Sequence, residues 1–76
     1  MKGYNGYRSW NSWNVSLWIA NDEWLYRLGL DCLSQCNGNV SKAARKFLGY
    51  VGGERTPDGA RFNLTCVREA LAGIKD

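Results

Sequence analysis

Seven of the eight Trp and Tyr residues in this 76-residue chain fall at or before position 26: Tyr4, Tyr7, Trp10, Trp13, Trp18, Trp24 and Tyr26. This crowding constrains the fold more than any other feature. A chain so short builds a single core of limited volume. Leu25, Leu28, Leu33, Phe47, Leu64, Val67, Leu71 and Ile74 compete for the same interior. Most of the rings are expected in the core, with one or two left at the surface. Trp, Tyr and Arg are the usual anchors of protein interfaces, so rings left outside mark a contact surface.

Apolar spacing and capping residues divide the chain into about four short helices behind an N-terminal turn at Asn5-Gly6. Ser9 or Asn11 caps a first helix that runs to about Ala20. Trp10, Trp13, Leu17 and Ala20 share one of its faces, with Trp18 at the edge. Val15 and Ile19 project from nearly the opposite side, and Asn11, Ser12 and Ser16 form a polar strip. A helix apolar on two sides sits centrally or keeps one side for a partner. Asn21 is the expected cap of a second helix, Asp22 to about Cys36, with Asp22 and Glu23 at the positive end of its dipole. Leu25, Leu28, Cys32, Leu33 and Cys36 form its core stripe, and Arg27 and Asp31 are spaced for an ion pair.

Gly38 suits a left-handed C-cap, and Asn39 starts a third helix over Val40–Val51. That helix is cleanly amphipathic: Val40, Ala43, Ala44, Phe47 and Val51 face inward, whereas Lys42, Arg45, Lys46 and Gly49 face outward. Pro57-Asp58-Gly59 marks a turn in the connector over 54–62. Asn63 caps a fourth helix with Leu64, Val67, Ala70, Leu71 and Ile74 on one face. The expected architecture is one compact all-α domain spanning residues 1–76.

The chain has no histidine, which removes His-based triads, His-metal sites and His proton shuttles. A Cys or Ser nucleophile would then need Lys, Asp or Glu as its base. Cys32 and Cys36 lie on an apolar stripe, where burial blunts a thiol. Three cysteines also lack a fourth ligand of the usual kind for a structural zinc. Asp22 and Glu23 are neighbours on a helix and diverge by about 100°, a poor geometry for shared acid–base work. A non-enzyme without cofactor or metal is expected. Asn14, Asn39 and Asn63 open Asn-x-Ser/Thr sequons, but no leader segment is apparent, so a reducing compartment and free thiols are expected. No run of 18 apolar residues offers a membrane span.

Charge is uneven. Residues 1–36 carry three Lys and Arg against three Asp and Glu; residues 37–76 carry seven against four, which accounts for the net charge of +3. Lys42, Arg45 and Lys46, extended by Arg55, Arg61 and Arg68, form a candidate phosphate-binding set, with a solvated helix face as the ordinary explanation. The aromatics suited to stacking on bases lie in the other half of the chain.

Residues 3–28 contain Trp13-Asn14-Val15-Ser16-Leu17-Trp18-Ile19-Ala20-Asn21-Asp22-Glu23. This resembles small, mostly uncharacterised proteins of bacteriophages and mobile elements that share a Trp-Asn-Val-x-Leu-Trp-Ile-x-Asn-Asp-Glu signature. Thr56-Pro57-Asp58-Gly59, followed by Val67-Arg68-x-Ala70-Leu71, resembles the tail of the same proteins. The resemblance implies an accessory viral protein in the cytoplasm of a bacterial host. By its type and size, such a protein is expected to bind and inhibit a host defence complex by occlusion, with anti-CRISPR action on a CRISPR effector as the sharpest form. The expected protein-binding residues are Tyr4, Tyr7, Arg8, Trp10, Trp18, Trp24, Tyr26 and Arg27, rimmed by Asp22 and Glu23, on a monomer or homodimer. The alternative is a small helix-turn-helix-like DNA-binding module using Lys42, Arg45, Lys46, Arg55 and Arg61. Ala43-Ala44-x-x-Phe47-Leu48, Thr56-Pro57-Asp58-Gly59 and Val67-Arg68-x-x-Leu71 resemble the DNA-binding tails of serine recombinases, although the connector exceeds the ordinary turn of three to four residues.

Overall fold

Each helix starts at a side chain that satisfies an otherwise orphaned backbone donor. In the computed structural model, which describes residues 6–75, the helices are α1 (Trp10–Asn21), α2 (Glu23–Gln35), α3 (Val40–Val51) and α4 (Leu64–Ile74). The all-α class and the four helices agree with the sequence reading; Tyr4 and the Asn5 half of the N-terminal turn lie outside the described residues. Ser9, Asp22, Asn39 and Asn63 accept the N–H of Ser12, Leu25, Lys42 and Cys66 respectively. Such caps are each worth about 1 kcal/mol.

Two local expectations are corrected. Asp22, not Asn21, caps α2; Asn21 ends α1 and its amide donates to the Leu17 carbonyl at 2.8 Å. A carboxylate gains more than an amide from the positive end of a helix. Arg27 pairs at 2.9 Å with Glu23 rather than with Asp31, because an acid one turn N-terminal to its cation is the better-oriented pair. After α2, Gly38 donates to the Leu33 carbonyl and Asn37 to that of Ser34. This is a Schellman closure in which Asn37, with φ of 54°, takes the left-handed position and Gly38 follows at 80°.

Packing then sorts the faces. On α3 the apolar stripe turns inward as expected: Ala43, Ala44, Phe47 and Val51 are buried and Val40 packs beside them. The core continues through Leu25, Cys32 and Leu33 of α2 and Val67, Ala70 and Leu71 of α4. Gly29 of α2 sits against α4: a Cβ there would lie 2.9 Å from Leu71 Cδ2 and 3.0 Å from Ile74 Cδ1.

α1 behaves differently. Its buried residues are Ser12, Asn14, Val15, Ser16 and Ile19. The side carrying Trp10, Leu17 and Ala20 is exposed, with Trp13 half-buried. The expectation that most rings occupy the core is therefore overturned: among the described residues no Trp or Tyr is fully buried, and Phe47 is the core's one fully buried aromatic. The small Ser12 lies against α4, its hydroxyl 3.3 Å from Cys66 Sγ, where an indole would not fit.

Candidate functional site

The connector between α3 and α4 is anchored by side chains of α1. Arg55 and Arg61 form an antiparallel bridge. Between them Thr56 N–H donates to Ala60 O, and Gly59 N–H to Thr56 O, each at 2.8 Å. Gly59 has φ of 97°, so the segment is a three-residue hairpin loop closed by a left-handed glycine. The fully buried Asn14 clasps it. Its amide donates to Asp58 Oδ2 at 2.9 Å, and its carbonyl oxygen accepts from Thr56 Oγ1 at 2.6 Å. Thr56 Oγ1 accepts in turn from Ala60 N–H. Asn11 holds the far side of the loop, pairing with both the N–H and the carbonyl of Arg61 at 2.8 and 2.9 Å.

Asp58 also accepts from the Trp18 indole N–H at 2.9 Å. The hydrogen bond from Asn14, and then that from Trp18, hold its carboxyl below the usual aspartate value against a smaller opposing effect of burial. Two segments singled out in the sequence, Trp13-Asn14-Val15 and Thr56-Pro57-Asp58-Gly59, thus meet through side chains 42 and 44 positions apart. Asn14 is committed to this clasp, although its sequence context reads as a sequon.

The anchored loop completes one wall of a groove of about 360 Å³. Trp18 of α1, Asp22 and Trp24 at the start of α2, Tyr50 at the end of α3, and Glu54 and Pro57 of the connector line it. Trp24 and Tyr50 are each 61% exposed, the most open of the large apolar side chains among the described residues. Phe62 lies between groove and core, its ring centroid 6.2 Å from that of Phe47. Tyr50, Glu54 and Pro57 were not among the expected site residues. Tyr50 falls off the inward stripe of α3, a readable sign of exposure; its nearness to Trp24 depends on how α2 and α3 pack.

The other expected contact residues do not all join this groove. Tyr7 lines a smaller hollow of about 170 Å³ with Trp13 and Leu17. Trp10 and Tyr26 are exposed outside both hollows. Arg8 is engaged within the chain, its guanidinium 2.8 Å from Glu69. Burial pushes the Glu69 carboxyl up, but Arg8, Ser12 and Arg68 together bring it below its ordinary value. Arg27 flanks Trp24 in its ion pair with Glu23.

Of the candidate phosphate-binding residues, Lys42, Arg45 and Lys46 are exposed on α3. Arg55 and Arg61 line a second hollow together with Glu54, and Arg55 Nη1 donates to the Gly59 carbonyl at 3.1 Å. The three cysteines are free, with Cys32 and Cys66 buried and Cys36 half-buried. Burial, then the neighbouring Cys36, push the Cys32 thiol up, away from nucleophilic use. Among the described residues no group of three or more His, Cys, Asp and Glu is placed to hold a metal ion, and no helix is long and apolar enough to cross a membrane.

No curated protein and no solved structure matches the chain. A family model does match, over residues 1–75, and the chain belongs to that family, a family of unknown function designated DUF7249.

Proposed function

We propose that this chain is a non-catalytic binding protein that seats a partner protein on the groove between Trp24 and Tyr50. Its effect is inhibition of a host complex by occlusion, anti-CRISPR action being the sharpest form. The observation that carries the binding reading is the pair of large rings, each 61% exposed, on two helices flanking one groove. Aromatic rings beside a pocket are the usual anchors of protein recognition. Trp18 and Pro57 are held in place by the Asn14–Asp58–Thr56 clasp, so little ordering of the wall remains to be done on binding. The inhibitory role is drawn from the resemblance to phage accessory proteins.

The test uses bacteria with an active CRISPR system and a phage that it targets. Expression of the chain is expected to raise the plating efficiency of that phage, and affinity capture is expected to recover a stoichiometric host partner. Trp24→Ala combined with Tyr50→Ala should abolish both while the far-ultraviolet spectrum stays native. Undiminished capture by the double variant overturns the groove as the binding site. Unchanged plating across active defence systems overturns the inhibitory role.

The DNA-binding alternative rests on the exposed Lys42, Arg45 and Lys46. It requires an electrophoretic shift of duplex DNA at low salt that disappears at high salt, and no shift at low salt removes it.

A further inference from the structure

The charge of the groove opposes that of the molecule. The chain carries a net +3, yet among the described residues two carboxylates, Asp22 and Glu54, line the groove against a single cation, Arg55. A third carboxylate, Asp58, is not part of the groove lining but accepts from the indole N–H of Trp18, which is. Arg55 is turned to its own loop, donating to the Gly59 carbonyl. Asp22 spends Oδ2 on the N–H of Leu25 at 3.0 Å. Glu54 has no ion pair among the described residues. On the far side of Trp24, Arg27 is neutralised by Glu23 at 2.9 Å.

We infer that this groove selects a cationic side chain, an arginine or lysine presented by the partner protein, seated against the rings of Trp24 and Tyr50 with Glu54 and Asp22 as counter-charges. The inference rests on the groove being the binding surface and adds the chemistry of what enters it. A purely apolar side chain would strip water from the carboxylates and return nothing to them. A phosphate or acidic side chain would meet like charge. A guanidinium stacks flat on an aromatic face and donates to carboxylates at its edge.

The experiment is a titration of the isotope-labelled full chain with three capped tripeptides, Gly-Arg-Gly, Gly-Leu-Gly and Gly-Glu-Gly, at low salt. It follows the indole N–H signals of Trp18 and Trp24 and the backbone signal of Tyr50. Saturable shifts are expected with the arginine peptide only. Glu54→Gln should weaken them about threefold, the order of one exposed charge pair, and Trp24→Ala should remove saturation at Trp18 and Tyr50. If the leucine peptide binds as well as the arginine peptide, the charge selection is overturned while the groove remains a binding surface. If Glu54→Gln leaves arginine binding unchanged, or if no peptide gives a saturable shift, the inference is overturned. The capture experiment with the Trp24 and Tyr50 variant judges the groove itself separately.

Discussion

α1 and α3 have the same length, 12 residues, and each begins at a side-chain cap; α3 buries an apolar face and α1 a mixed one. α3 follows its hydrophobic stripe, turning Ala43, Ala44, Phe47 and Val51 inward and its Lys and Arg outward. α1 turns Ser12, Asn14 and Ser16 inward with Val15 and Ile19, and leaves Trp10 and Leu17 exposed. The difference shows what decides a helix face in a small domain. Where the apolar side chains fit the space, area removed from water orients the helix. Where they are indoles and the neighbouring helix lies close, fit and the hydrogen bonds of Ser12 and Asn14 decide instead.

Perturbing each face should separate the two regimes. The largest loss is expected from Phe47→Ala, at about 3–5 kcal/mol of unfolding free energy, measured by chemical denaturation. Asn14→Ala should cost about 2–3 kcal/mol, since it leaves the buried Thr56 hydroxyl without its acceptor and opens a cavity. A cost for Asn14→Ala below that of an exposed-residue change would mean that the clasp does not orient α1. Gly49→Ala should stabilise by about 0.5–1 kcal/mol through helix propensity alone, because nothing lies within 4 Å of the added Cβ. Trp24→Ala, at a largely exposed ring, should move stability by no more than about 0.5 kcal/mol. A large loss there would make Trp24 a packing residue and not an anchor.

Acid probes the clasp without a mutation. The folded Asp58 carboxyl titrates below its unfolded value, so its contribution is fully present above the ordinary aspartate range. That contribution is lost as pH falls through the lowered folded value. The indole N–H signal of Trp18 is expected to titrate with a midpoint below the usual aspartate pKa. Asp58→Asn keeps an acceptor for the indole, so it should abolish that titration with Trp18 still bonded. A midpoint at or above the usual value contradicts the two hydrogen bonds as its cause.

Much of the frame was legible without coordinates. Asn39, Asn63 and Ser9 announce helix starts because a short polar side chain in front of a periodic run has few other uses. The stripe of α3 reads directly because its apolar residues are small enough to be buried together. α1 misled because counting apolar positions takes no account of volume, and its indoles were too large for the place that the pattern offered them. The candidate site was half legible: Trp18 and Trp24 stood out as excess aromatics, whereas Tyr50, Glu54 and Pro57 join them only once α2, α3 and the connector meet.

Local chemistry thus determined four capped helices, a turn at Pro57-Asp58-Gly59, the lack of histidine chemistry and a surplus of rings near the start. Each is a property of neighbours in the chain, where backbone hydrogen bonding and side-chain size act over one or two turns. Tertiary packing alone decided which side of α1 is buried, that Asn14 clasps Thr56 and Asp58, and that Trp24 and Tyr50 flank one groove carrying more acid than base. Those outcomes depend on distances between residues tens of positions apart, which no periodicity within a single helix encodes.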